Sequence, residues 1–165
     1  MIWVNLIVVL ILIFSLLGGL KEGAVRQFFN LVALLIAIPL TGLSYHLLAN
    51  LLSFLPGENW ENFVGFFVTL AIISVILHLM ALLPRKIGQK IWRKGLFFRL
   101  LGGALNVVNA SIGMAVFALV LLAYPIFEWM ERWVAGSSVL MSLVNIFAFV
   151  PSMLPQVFQS AAVAA

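Results

Sequence analysis

Long unbroken apolar stretches, rather than an alternation of apolar and polar positions, dominate this chain. Four stretches approach or exceed the roughly 20 residues that a helix needs to cross a bilayer core about 30 Å thick. They cover approximately residues 2–20, 28–52, 63–83 and 100–127. An isolated strand would leave its backbone groups unpaired in hydrocarbon, so each stretch is predicted to be a helix. The pattern therefore predicts an all-α integral membrane protein with a four-helix transmembrane domain over residues 1–127.

After the fourth stretch the pattern changes, and residues 128–165 are predicted to lie at the membrane surface. Tryptophans and charged side chains are interleaved at its start, as is typical of the lipid–water interface: Glu128, Trp129, Glu131, Arg132 and Trp133. Residues 139–150 are apolar but too short to span, so we expect a short C-terminal interfacial helix that stops at Pro151. Small residues at 160–165 predict a frayed end.

Composition supports the membrane assignment and narrows the chemistry. Hydrophobic residues make up 65% and charged residues 8% of the chain, whereas soluble domains are about 25% charged. The chain has no cysteine, which excludes thiol catalysis, cysteine metal sites and disulfides. No carboxylate, lysine or arginine falls well inside a predicted span. We therefore expect a protein that is not an enzyme and that holds no metal or cofactor.

The distribution of charge predicts the topology. Lys21 and Arg26 follow the first span, whereas the connection at 54–62 carries Glu58 and Glu61 and no positive charge. The connection before the fourth span holds a basic patch: Arg85, Lys86, Lys90, Arg93, Lys94 and Arg99. Short Lys/Arg-rich loops stay cytoplasmic, so both termini are predicted outside. Positive charge follows the first span instead of preceding it, which favours an inserted helix over a cleaved signal peptide.

The basic connection has two interpretations. On a helix, Ile87, Ile91 and Trp92 share one arc and the basic side chains share the other. This predicts a cytoplasmic interfacial helix that binds anionic lipid head groups and offers a docking surface. The alternative is that these charges only fix the orientation of the chain in the membrane.

A polar face on the fourth span also has two interpretations. Gly102, Asn106, Asn109 and Gly113 recur at spacings that place them on one side of a helix. Glycine lets another helix approach closely and asparagine hydrogen-bonds across the contact, which favours a packing seam. The other interpretation is a polar track that lines a substrate path.

The two histidines do not predict a metal site. His46 falls in the second span and His78 in the third. From their positions in the spans, their depths differ by roughly 15–20 Å at about 1.5 Å per residue, which is too far for ligands of one ion. Each is expected to be a packed or interfacial side chain.

Three short segments carry a resemblance to a known family. They are the opening Met1–Asn5, the loop at 19–26, and an Arg-x-x-Gly sequence at Arg99–Gly102. The family-like residues of the loop are Gly19, Gly23 and Arg26. In these segments the chain resembles the colicin V production protein family of bacterial inner-membrane proteins. Helix count and charge placement agree with that family along nearly the whole chain.

Four positions depart from the family pattern. Asn5 stands where an acidic residue is common, and Phe98 stands where an aspartate often precedes the arginine. Asn106 and Ala110 occupy places where the family tends to have glycine. If the family's acidic residues pair with its loop arginines, that pairing is missing in this chain.

The resemblance implies an inner-membrane protein that supports production or export of a secreted peptide toxin, or envelope function, together with partner proteins. Binding to nucleic acid is not expected. A small transporter or pore, formed by several copies of the chain with Asn106 and Asn109 along the path, is the alternative hypothesis. A purely structural anchor is a third.

Overall fold

The structure, a computed structural model, describes residues 2–82 and 95–164, which are almost entirely helical and contain no strand. Four helices among them are long and apolar enough to cross a membrane: α1 (Ile2–Glu22), α2 (Ala24–Leu51), α3 (Glu58–Met80) and α4 (Leu96–Ala123). This confirms the all-α fold with four candidate spans. The protein is a multi-pass membrane protein.

Three of the four spans begin earlier than the apolar stretches predicted, whereas α1 begins at residue 2 as expected. α2 and α4 start about one turn before residues 28 and 100, and α3 starts at Glu58 instead of residue 63. Polar side chains are accepted in these first turns because they lie at a helix end. Glu58 and Glu61 also complement the partial positive charge of a helix N-terminus.

Four shorter helices follow α4 in the described chain: α5 (Glu128–Ala135), α6 (Ser138–Ile146), α7 (Phe149–Ser152) and α8 (Gln156–Ala164). The sequence predicted one helix over 139–150, a stop at Pro151 and a frayed end. In the structure Pro151 lies in the first turn of α7, where its missing N–H costs little. Residues 160–164 continue α8, because Phe158 is fully buried and holds this helix against the bundle.

The spans are arranged as a row whose order in space differs from their order in the sequence. α1 packs along α4, and α2 packs along both α4 and α3. By contrast, α1 makes few contacts with α2, and α3 scarcely touches α4. The spatial order is therefore α1, α4, α2, α3.

Along the helix axes, the bundle has two ends that differ in charge. We call the end that carries Lys21, Arg26 and Arg99 the basic end; α1 and α3 finish there, and α2 and α4 start there. The opposite end holds the start of α1, the turn at 52–57 and helices α5–α8. The predicted interfacial helix with Arg85, Lys86, Lys90, Arg93 and Lys94 lies outside the described residues.

The surface and the core fit a protein that is solvated by lipid. Phe14, Leu43, Val75 and Leu100, one from each span, are all more than half exposed, and a membrane would cover such side chains. The core is concentrated toward the opposite end, where an aromatic cluster joins α2, α3, α4 and α8: Tyr45, Phe66, Tyr124 and Phe158. The hydroxyls of Tyr45 and Tyr124 share a buried hydrogen bond of 2.6 Å.

Candidate functional site: a glycine seam and a polar groove

Glycines bring α1 and α4 into backbone contact near the basic end. A Cβ atom added to Gly102 would lie 2.6 Å from the carbonyl carbon of Gly23 and 2.7 Å from the carbonyl oxygen of Gly19. One added to Gly19 would lie 2.8 Å from Cα of Gly103. Because these neighbours are backbone atoms, they cannot rotate away. We call this contact the glycine seam; it has the small-residue packing expected where membrane helices approach most closely.

Two side chains of α4 fasten the seam by donating to α1. Asn106 donates from Nδ2 to the carbonyl oxygen of Ser15 at 2.6 Å. Arg99 donates from Nε to the carbonyl oxygen of Leu20 at 3.2 Å. The Leu20 carbonyl is in the last turn of α1, where carbonyl groups lack partners within the helix. A hydrogen bond between membrane helices contributes on the order of 1 kcal/mol, so these contacts add orientation to the close packing.

The family-like loop forms the junction between α1 and α2. Gly23 alone separates the two helices and has a φ of +83°, a conformation that side-chain-bearing residues rarely adopt. Arg26 pairs with Glu22 across this junction at 3.3 Å. Gln27, which is 1% exposed, donates from Nε2 to the same carboxylate at 2.6 Å. Gly19 and Gly23 therefore serve backbone geometry, whereas Arg26 belongs to a polar cluster.

A groove lies beside the seam, between α2, α3 and α4. Its volume is about 420 Å³, and its polar lining comes from all three helices: Asn30, Ser74, His78, Asn106 and Asn109. Ala33, Ala110 and Gly113 complete much of the wall. We call it the polar groove. A volume of this size falls within the range of small-molecule sites, roughly 300–1,000 Å³.

Hydrogen bonds connect the polar groove with the α1–α2 junction. Asn30 donates from Nδ2 to Oε1 of Gln27 at 3.3 Å, and Gln27 in turn binds Glu22. The chain of polar side chains thus runs from the half-exposed Glu22–Arg26 pair to the groove wall. It lies on the basic side of the groove.

The structure divides the polar face of α4 between these two features. Gly102 lies in the glycine seam, whereas Asn109 and Gly113 line the groove, and Asn106 touches both. A Cβ atom at Gly113 would have no neighbour within 4 Å. The close packing contact therefore involves Gly102 and Asn106, whereas a substrate path along Asn106, Asn109 and Gly113 stays a prediction.

The histidines occupy unrelated places. His46 is exposed, and its ring lies 3.9 Å from that of Tyr45 between centroids. His78 lines the groove. Across residues 2–82 and 95–164 no group of three or more His or Glu side chains is placed to hold a metal ion.

Asn5 acts at the opposite end, far along α1 from the loop arginines. Its Oδ1 accepts hydrogen bonds from Oγ of Ser137 at 2.7 Å and from the backbone N–H of Val139 at 3.4 Å. Its Nδ2 donates to Oγ of Ser138 at 3.1 Å. Asn5 therefore ties the first turn of α1 to the first turn of α6, where Ser137 is the N-cap residue.

Several of these residues were not singled out by the sequence. Ser15 takes part through its carbonyl group, which leaves no side-chain signal. Gln27, Asn30 and Ser74 are visible as polar residues in or beside apolar stretches, but the pattern does not show that they converge with His78.

Comparison with known proteins gives one result. The family model described as Colicin V production protein matches residues 4–148. No curated protein and no solved structure matches the chain.

Proposed function

The chain belongs to the colicin V production protein family, and from this premise we propose that it is a non-enzymatic accessory protein of the bacterial inner membrane. It supports production or export of a secreted peptide toxin, or envelope upkeep, and it acts with partner proteins. The observation that carries this proposal is the extent of the family match, which spans all four candidate membrane helices.

The placement of charge supports an accessory role over catalysis. In the described part of the four spans, every Glu, Lys and Arg lies within about one turn of a helix end. The middle of the bundle therefore offers amides and hydroxyls, which bind and orient, in place of charged acid–base groups. The backbone-to-backbone glycine seam adds a stiff frame on which such a protein could present its loops.

In the proposed orientation the basic end faces the cytoplasm and both termini face the outside. The basic patch, Arg85 to Lys94 together with Arg99, then meets anionic lipid head groups and serves as the docking surface for partners. Polybasic segments at such a surface gain about 1 kcal/mol per Lys or Arg.

Purification tests this proposal. The chain is isolated gently from native membranes and the mass of the intact complex is determined. A second protein in fixed stoichiometry is expected. Replacing Arg85, Lys86, Lys90, Arg93 and Lys94 by Gln should release it while insertion is retained, whereas Arg132→Gln, at the opposite end, should not. An unchanged complex would contradict the docking role, and a complex of this chain alone would contradict the accessory role.

The polar groove favours a second candidate, a small homo-oligomeric transporter or pore. Asn109→Leu then abolishes release of a small uncharged dye from liposomes. Asn109 is the residue of choice because Asn106 also fastens the glycine seam. Ala104→Leu, on an exposed position of the same helix, is the control. Equal release by both variants and the original chain rules this candidate out.

A further inference from the structure

The distance that the polar groove extends into the bundle follows from the positions of its lining residues along the helices. Asn109 is the fourteenth residue of the 28 in α4, so it lies about 20 Å from the start of that helix at 1.5 Å per residue. His78 and Asn30, by contrast, lie near the basic end of α3 and α2. The groove therefore runs from the basic end to the middle of the membrane-spanning bundle.

The polar lining of the groove stops near the middle of the bundle. Toward the opposite end, α4 buries Ile112, Val116 and Leu119, each at most 1% exposed. On the basic side it continues into Asn30, Gln27 and Glu22, which are joined by hydrogen bonds. Polar groups reach it from one side only among the described residues, so the natural approach is from the basic end.

The chemistry of the lining selects for uncharged solutes. Amides, a hydroxyl and the imidazole of His78 line the groove, and its described lining holds no Lys, Arg or Glu. A formal charge at this depth would have no opposite charge to offset its desolvation, which is costly in a membrane. A neutral group that can both donate and accept hydrogen bonds meets no such cost.

Asn109 leaves hydrogen-bonding capacity unused. Its Oδ1 is buried and accepts no hydrogen bond from the residues that the structure describes. Leaving such an acceptor unpaired costs about 1–3 kcal/mol. The amide turns easily about χ2, and this motion presents its oxygen or its nitrogen to the groove.

Gly113 leaves space beside that amide. No atom lies within 4 Å of the position that its Cβ would take. Space and unsatisfied polarity therefore lie within about one helical turn of each other, which distinguishes this wall of α4 from the tightly packed seam around Gly102.

We propose that the polar groove is a hydrated binding site, reached from the basic end, for an uncharged solute that carries a hydroxyl or primary amide group. Asn109 is the residue that pairs with this group. The proposal goes beyond the accessory function and does not depend on it.

The absence of cysteine from the chain permits a direct test. Gly113→Cys and Ala104→Cys are made singly and reconstituted, and a charged, membrane-impermeant thiol reagent is added on the basic side. Ala104 lies nearer to the basic end but is exposed on the outside of α4, where lipid would cover it. If depth alone governed reactivity, Ala104→Cys would react faster. We expect Gly113→Cys to react at least tenfold faster.

Solute probes then define the ligand class. Acetamide and glycerol should slow modification of Gly113→Cys in a saturable manner, whereas acetate and methylammonium should not. Adding Asn109→Leu to Gly113→Cys should remove the protection but leave the cysteine reactive. Because Gly113→Cys enters open space, the protein should remain folded, and its thermal unfolding verifies this.

Three outcomes overturn the proposal. A Gly113→Cys that reacts no faster than Ala104→Cys means that the groove is dry. Equal protection by charged and neutral probes means that the lining does not select. Spontaneous disulfide-linked dimers of Gly113→Cys mean that the groove is an interface between two copies of the chain.

Discussion

Glycine serves opposite purposes at two positions of the same face of α4. Gly102 touches backbone atoms of Gly19 and Gly23, whereas Gly113 borders empty space. The difference follows from what lies opposite each residue: a helix in one case and the polar groove in the other. Identical substitutions at the two positions should therefore have different effects on stability.

We expect Gly102→Ala to lower the free energy of unfolding by about 1–3 kcal/mol, the usual cost of overpacking. The added methyl group cannot be accommodated without separating α1 from α4. Gly113→Ala should leave stability unchanged or raise it slightly, because alanine favours the helix. Unfolding by SDS in mixed micelles measures both. Equal losses for the two variants would mean that the seam is not the close contact described.

Asn5 provides a second prediction at this scale. Asn5→Leu removes the hydrogen bonds to Ser137, Ser138 and Val139 and should cost about 1–3 kcal/mol of unfolding free energy. Asn5→Asp keeps an acceptor for Ser137 and Val139 and places a negative charge at the start of α6. It should be at least as stable as the original chain, with a gain of about 0.3–1 kcal/mol.

The Asn5 variants also bear on the family resemblance, in which an acidic residue is common at this position. Both are compared with the original chain in the same unfolding assay. If Asn5→Asp were as destabilising as Asn5→Leu, this would contradict the role of Asn5 as a hydrogen-bond acceptor at the start of α6.

At the scale of elements, the short helices after α4 are part of the fold. Phe158 of α8 packs its ring against Tyr45, Phe66 and Tyr124 at centroid distances of 5.8, 5.4 and 5.7 Å. Leu154, just before α8, is also buried. The opposite end of the bundle is thus completed by residues from the end of the chain.

Phe158→Ala should therefore lower the free energy of unfolding by about 3–5 kcal/mol, the cost of a large cavity in a packed core. Val163→Ala, on the same helix but with Val163 89% exposed, should change it by less than about 0.5 kcal/mol. The same SDS titration compares them. If Phe158→Ala had no effect, α8 would not be anchored in the aromatic cluster.

Elements were predicted from the sequence far better than their contacts. The four spans follow from hydropathy alone, because lipid demands a long apolar helix wherever the chain crosses it. Hydropathy does not predict which helices pack against each other. Lipid is as apolar as the helix faces, so the face of a helix that contacts another helix is no more hydrophobic than the face that contacts lipid. The spacing of Gly102 and Asn106 favoured a helix-packing seam on α4, but nothing in the sequence identified α1 as the helix that packs against it.

The tail shows a different reason for a missed feature. The apolar run at 139–150 predicted a helix, and α6 begins close to its start. The packing of Phe158, by contrast, depends on the shape of the core formed by α2, α3 and α4. That shape exists only after distant parts of the chain have come together.

At the scale of the whole molecule, cysteine labelling tests the proposed orientation of the chain in the membrane. Ser53→Cys in the exposed turn before α3 should react with an impermeant maleimide added to intact spheroplasts. Lys21→Cys, exposed at the basic end, should react only after the membrane is opened. The unmodified chain has no cysteine and serves as the blank. The reverse pattern would invert the topology and place the basic end outside.

The row order of the spans has a consequence for biosynthesis. Of the four spans, α1 leaves the ribosome first, yet its partner α4 is the last to be made. Until α4 is made, the glycine-rich side of α1 contacts lipid, whereas α2 and α3 can already pack against each other. The glycine seam therefore cannot form until α4 has been made, and a nascent chain halted before α4 leaves α1 without it.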